Sequence, residues 1–156
     1  LTEKASVDVE QLINDAIDII LPVVHNKHLD VEKLIPAVIP PLLVDEDMIR
    51  RVIINLLENA SRFAPQNTKI TVGAKLNKQQ ITLWVDDRGP GIPEEAREHI
   101  FDKFVRLRGD GLTRGLGLGL AFCRFAVQAH GGTIWVENLQ DGGSRFIFTL
   151  PAALKD

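Results

Sequence analysis

The chain has 156 residues, enough for one domain that buries roughly 70% of its unfolded surface. At 45% hydrophobic and 25% charged residues it has the balance of an ordinary soluble globular protein. A net charge of -3 gives no basic field for nucleic acid, no apolar run nears the roughly 18 residues that cross a bilayer, and no signal peptide is visible.

The chain opens on Leu1 rather than Met and reads as an excised piece of a longer protein. Val7-Asp-Val is a short extended start. Asp8 then caps a helix over Val9 to Val24, with Leu12, Ile13, Ala16, Ile17, Ile20 and Leu21 at helical spacing. His28 to Lys33 alternates and predicts a strand. Pro36, Pro40 and Pro41 mark a connection to a short strand, Leu42 to Val44. Asp45 caps a second helix, with Glu46 and Asp47 where the helix dipole favours acids. That helix is expected to run to Ala64 and stop at Pro65.

Strands are predicted near Lys69 to Leu76 and Gln80 to Asp87, joined by a tight turn at Asn77-Lys78. A short helix is expected from Pro93 to Phe104. Val105 to Leu116 is rich in Gly and Arg, lacks periodicity and reads as a loop. Gly117 to His130 predicts a helix that Gly131-Gly132 ends. It carries the single Cys123, which cannot form an internal disulfide. That fits a reducing, cytoplasmic compartment, and the apolar surroundings make Cys123 core filler. Thr133 to Asn138 and Ser144 to Leu150 form a last hairpin around Asp141-Gly-Gly143. Helices with an extensive, partly antiparallel sheet imply a two-layer α/β sandwich.

Three segments carry chemistry. On the second helix, Ile49, Val52, Ile53, Leu56, Leu57, Ala60, Phe63 and Ala64 form the core stripe. Asn55, Asn59 and Arg62 lie together beside it, and Glu58 points from another face. The plain alternative is a row of boundary residues bonded to backbone. Two asparagines on one edge nevertheless cost helix propensity. An amide oxygen is a hard ligand suited to Mg²⁺ held mostly by phosphates and water, and an arginine one turn on can meet a phosphate.

Asp87 ends its strand on the same face as Ile81, Leu83 and Val85, while Asp86 points the other way. An inward carboxylate needs a donor, and an exocyclic amine such as adenine N6 would serve. Gly89 and Gly91 then let backbone approach a flat ring. A turn with a solvated Asp pair is the alternative. The third segment, Gly115-Leu-Gly117-Leu-Gly119, opens a helix. It follows a charged loop rather than a strand, so it is no dinucleotide fingerprint, and no P-loop pattern is present. Free N–H groups at a helix start can still bind an anion; close helix-to-sheet packing is the other reading.

Taken together these segments resemble the catalytic and ATP-binding domain of sensor histidine kinases. That family belongs with gyrase, the ATP-dependent heat-shock chaperones and the mismatch-repair ATPases, which share the Bergerat fold. Asn55-Leu-Leu-Glu-Asn59-Ala-Ser-Arg62-Phe63 is similar to the N box, and Asp87-Arg-Gly-Pro-Gly-Ile-Pro93 to the G1 box. Ile100-Phe-Asp-Lys-Phe104-Val-Arg106 is similar to the F box, and Gly115-Leu-Gly-Leu-Gly-Leu-Ala121 to the G2 box. His130-Gly-Gly and the closing Phe146 to Pro151 also fit. Four motifs in order, covering nearly the whole chain, make the resemblance specific.

The resemblance implies a mixed, largely antiparallel sheet with three helices on one face, and ATP with Mg²⁺ as the ligands. By that resemblance Asn59 binds Mg²⁺, Asn55 supports phosphate or metal, Arg62 contacts phosphate and Phe63 walls the adenine. Asp87 accepts from adenine N6, with Gly89, Gly91 and Ile92 along the ring and Thr149 helping through water. Gly115, Gly117, Leu118, Gly119 and Leu120 cradle the phosphates. Val105 to Arg114 is the lid, with Phe101 and Phe104 as hinge and anchor. Arg106, Arg108 or Arg114 reaches the γ-phosphate, and the sequence does not choose among them.

Hydrolytic relatives place a Glu four residues before the metal Asn; here that residue is Asn55. The resemblance therefore implies γ-phosphoryl transfer to an imidazole with little hydrolysis. The acceptor is absent, because His25, His28, His99 and His130 lack its surroundings and read as structural or surface residues. It would sit on a dimerisation hairpin of the same parent protein, acting in cis or in trans, with a response regulator downstream. Residues 1 to 6 then read as a stub after that hairpin and residues 7 to 156 as the catalytic domain. The chain alone is expected to be monomeric, without membrane contact, and its parent a homodimer. A nucleotide-responsive interaction module and a gyrase-type hydrolytic ATPase are the alternatives.

Overall fold

The computed structural model describes residues 3–102 and 118–154. The first strand, β1 (Ala5–Val7), includes Ala5 and Ser6, which the sequence reading set before the domain. Helix α1 (Val9–Asn26) starts where Asp8 accepts from the Gln11 N–H at 2.8 Å. It continues through Pro22 and ends two residues later than expected. The Leu29 N–H then bonds back to the Val24 carbonyl, and His28 sits at φ 54°. This left-handed turn, rather than a strand, occupies His28, so β2 begins later (Asp30–Leu34).

Strand β3 (Leu42–Val44) leads into α2 (Glu46–Phe63), capped by Asp45 on the Met48 N–H at 3.2 Å. The expected stripe is buried apart from the half-buried Phe63, with Leu56 and Leu57 fully enclosed. Each such leucine stabilises the fold by about 1.5–3 kcal/mol. Ala64 is extended, as a residue before proline must be, and α2 stops there. The hairpin of β4 (Lys69–Asn77) and β5 (Gln80–Asp87) turns at Lys78-Gln79, one residue beyond the expected pair.

The helix expected from Pro93 reduces to one 3₁₀ turn, Glu94–Ala96, followed by irregular turns to Asp102. Glu94, Glu95, Glu98 and His99 are exposed, so among the described residues of this segment only Ala96, Ile100 and Phe101 offer apolar contact, too little to hold a longer helix. Phe104 lies outside the described residues. Helix α3 (Gly119–Ala129) closes with the Gly132 N–H on the Val127 carbonyl. Strands β6 (Ile134–Asn138) and β7 (Ser144–Pro151) complete the fold.

Five strands form one sheet in the order β2-β4-β5-β7-β6. Only β2 and β4 run parallel; the other neighbours are antiparallel. A small second sheet pairs β1 with β3. Ile70, Val72, Ile81, Leu83, Val85, Phe146, Phe148 and Leu150 are buried on the inner face, beneath the helices. Helix α2 packs against both α1 and α3 and against β5. His130 ties the helix ends together. It accepts from the Asp45 N–H at Nε2 (3.0 Å) and donates from Nδ1 to the Ala126 carbonyl (2.7 Å). The layered fold expected from the sequence is the one observed.

Candidate nucleotide site

Three elements meet at one end of the sheet: the C-terminal half of α2, the turn after β5 and the start of α3. On α2, Asn59 is buried at 6% exposure, Asn55 and Phe63 are half-buried, and Arg62 is exposed. Asn55 donates from Nδ2 to the Gly119 carbonyl at 3.1 Å, joining α2 to the first turn of α3. The Asn59 Nδ2 is buried with no hydrogen-bond partner among the described residues. A buried amide without partners is costly. Turning about its last bond, it can offer either oxygen or nitrogen to a ligand. Glu58 is exposed, as its helical position requires.

Asp87 faces inward as its strand parity demands and is 2% exposed. Its Oδ1 accepts from the Gly89 N–H at 2.7 Å, and its Oδ2 accepts from the Ser144 hydroxyl at 2.8 Å. Burial pushes its carboxyl above the usual carboxylate range, although the bonds from Ser144 and Gly89 pull the other way. No basic side chain pairs with Asp87 among the described residues. Gly89 passes so close to α2 that a Cβ there would lie 2.6 Å from the Phe63 carbonyl oxygen. Gly91 takes φ 81°, and Ile92 is buried. So the turn after β5 lies against the end of α2, beside Asn59, Arg62 and Phe63.

Asp86 is also buried, contrary to a solvated pair. Its carboxylate is gripped by Arg145 at 2.7 and 2.8 Å, directly across the β5–β7 ladder, and that guanidinium lies 5.3 Å from the Trp84 ring centre. Thr149 is not near Asp87. It pairs with Thr82 on the opposite face of the sheet, about 17 Å along β7 from Ser144, and its hydroxyl accepts from the Thr133 N–H at 3.0 Å. Ser144, which pairs with Asp87 in the ladder, holds the hydroxyl position the sequence reading gave to Thr149.

Leu118 is exposed and precedes α3, whose first helical bond runs from the Phe122 N–H to the Leu118 carbonyl at 2.9 Å. Gly119 and Leu120 open the helix beside Asn55. Arg106, Arg108, Arg114, Gly115 and Gly117 lie outside the described residues. Cys123 is buried beneath α2, and burial pushes its thiol up to about 12, so it is no nucleophile. The sequence reading missed Ser144, Arg145 and Asn138. Asn138 lies next to Ser144 across the ladder and grips the Ile92 backbone.

A carboxylate sunk at a strand end, a glycine turn, an edge of amides and a helix start are thus gathered at one end of the sheet. Residues 44–154 match the family of histidine kinase-, DNA gyrase B- and HSP90-like ATPases. The chain belongs to that family.

It is 48% identical over 118 residues to the adaptive-response sensory kinase SasA of Microcystis aeruginosa, a match covering 75% of the chain and 31% of that kinase. It thus spans about a third of the length of that relative. The catalytic domain of histidine kinase ThkA superposes with a TM-score of 0.87 at 30% identity, covering 97% of each chain. Full-length ShkA in complex with AMPPNP superposes with a TM-score of 0.88 at 29% identity, covering 99% of this chain and 32% of ShkA. No helix among the described residues is long and apolar enough to cross a membrane.

Proposed function

We propose that the chain binds Mg-ATP between α2, the turn after β5 and the start of α3, and presents the γ-phosphoryl to a histidine on another part of the parent protein. Asp87 carries this reading. A carboxylate kept buried without a cationic partner is costly for a fold, and an exocyclic amine is the donor it suits. Gly89, Gly91 and Ile92 then follow the ring, with Phe63 as its wall.

At the phosphate end, the amide edge fits a cation that keeps most of its ligands from phosphate and water. Asn59, whose buried Nδ2 has no partner among the described residues, is the residue for Mg²⁺; Asn55 and Arg62 support phosphate. When bound, Mg²⁺ neutralises phosphate charge as it develops. The N–H groups of Gly119 and Leu120 face the same end, where α3 begins. Arg106, Arg114, Gly115 and Gly117 are proposed to complete the phosphate contacts.

In the transfer, an imidazole nitrogen forms a bond to the γ-phosphorus while the bond to the β,γ-bridging oxygen breaks, and ADP leaves. Little covalent chemistry falls to the domain itself; it positions the groups and neutralises charge. Asn55 stands where a water-activating carboxylate would be needed, and an amide cannot take a proton. Its Nδ2 is already engaged with Gly119, and Glu58 faces solvent. The chain alone should therefore hydrolyse ATP slowly. The acceptor histidine and a downstream response regulator are partners proposed for the parent.

Calorimetric titration with ATP and Mg²⁺ tests this. A one-site heat that returns to baseline supports a binding domain awaiting its acceptor. Continuous heat after each injection, absent from Asn59→Ala, would overturn transfer in favour of hydrolysis.

A further inference from the structure

The turn that follows β5 leaves the sheet after Asp87 and has no strand to hold it. Its only two-sided anchor among the described residues is one side chain. Asn138, at the end of β6, accepts from the Ile92 N–H at 2.8 Å and donates to the Ile92 carbonyl at 3.0 Å. A single amide thus satisfies both polar groups of one backbone residue, as a neighbouring strand would. The other contact to that carbonyl, from Arg97 Nε, is longer at 3.4 Å. Asn138 also faces the one residue of the turn in the left-handed region: a Cβ on Gly91 would lie 3.0 Å from Asn138 Oδ1.

The placement of Asn138 gives this anchor a further meaning. In the β6–β7 ladder Asn138 pairs with Ser144, and in the β5–β7 ladder Ser144 pairs with Asp87. So the residue that bonds the carboxylate and the residue that bonds the turn sit opposite each other across two strands. We infer that Asn138 is a positioning residue for base recognition, fixing the Ile92 backbone relative to the Asp87 carboxylate. It touches the turn and not the base. Asn138 is itself exposed, so removing its amide opens no core cavity. The role rests on the reading of this site as an adenine site.

Base discrimination separates positioning from simple support. ADP carries the exocyclic amine; inosine diphosphate has an oxygen in its place, which Asp87 cannot bond. Both nucleotides, with Mg²⁺, are titrated calorimetrically into the unsubstituted chain, Asn138→Ala and Asn138→Asp. The unsubstituted chain should prefer ADP by at least about tenfold, the worth of one buried hydrogen bond. Asn138→Ala should weaken ADP about tenfold and inosine diphosphate much less, compressing the preference, with melting moved by no more than about 2 °C. Asn138→Asp keeps the bond from the Ile92 N–H but sets oxygen against the Ile92 carbonyl, so it should fall between them. If Asn138→Ala melts early, Asn138→Asp carries the same comparison.

An unchanged preference, or equal weakening of both nucleotides, overturns the positioning role. An unsubstituted chain that does not distinguish the two nucleotides overturns the adenine reading itself, and this role with it.

Discussion

Replacing Asp87 with Asn separates what the site needs from what the fold prefers. The amide oxygen can keep the bond from the Gly89 N–H, and the new Nδ2 takes the place of Oδ2 beside Ser144. The serine hydroxyl rotates and accepts instead of donating, so both local bonds survive. The amine of an adenine would now meet an N–H rather than an oxygen. Losing a bond to a charged acceptor and burying an unpaired donor together cost about 3 kcal/mol. That is roughly 150-fold in ADP affinity at 1.4 kcal/mol per decade.

Stability should move in the opposite direction. Burial raises the folded-state pKa of Asp87 above its ordinary 3.8. Such a group supports the fold below 3.8, and that support is lost as pH rises through the raised folded value. At neutral pH the ionised carboxylate weighs against folding, and Asn cannot ionise. Asp87→Asn should therefore be at least as stable as the unsubstituted chain at pH 7, with the gap closing below pH 3.8. The checks are calorimetry with ADP and urea unfolding at both pH values. ADP affinity within threefold of the original, or a variant less stable at pH 7 by more than about 1 kcal/mol, would refute the reasoning.

Asn59→Ala should make ATP affinity independent of Mg²⁺, whereas the unsubstituted chain should bind more tightly when Mg²⁺ is present; titrations with Mg²⁺ and with EDTA compare them, and an equal Mg²⁺ response in both would count against Asn59 as the ligand. Lys27 donates to the Ser61 and Arg62 carbonyls, both at 2.9 Å, and so satisfies the open end of α2. Lys27→Met keeps the stem and loses both bonds, so urea unfolding should show a loss of about 1–2 kcal/mol. No change in the unfolding midpoint would mean that water caps the helix as well.

Much of the site was readable from local pattern. Strand parity put Asp87 inward, helical spacing put Asn55 and Asn59 on one edge, and cap residues located α1 and α2. What escaped was long-range. Ser144 meets Asp87 across 57 residues, Asn138 meets Ile92 across 46, and Arg145 meets Asp86 across 59. Each pairing follows from the register of β7 against its neighbours, which no window of sequence contains. Thr149 was misplaced for the same reason: a hydroxyl on β7 serves Asp87 only in register and on the inner face, and Thr149 is neither. The helix expected after Pro93 shrank to one turn because the exposed acidic positions leave too narrow an apolar face to pack.

The sheet order also dictates when the site can exist. Strand β7 is the last strand among the described residues, yet it lies between β5 and β6. A chain emerging from a ribosome has α2 and β5 in hand, but one edge of β5 lacks its partner strand until β7 is released. Until then Ser144 cannot bond Asp87, and Asn138 has no ladder to hold it over the turn. Such late, non-local pairing slows folding and leaves apolar strand surface open in the interval. Nascent chains should thus be blind to nucleotide until β7 has left the ribosome, so ATP cannot assist the early steps of this domain's folding and can only trap the domain once assembled.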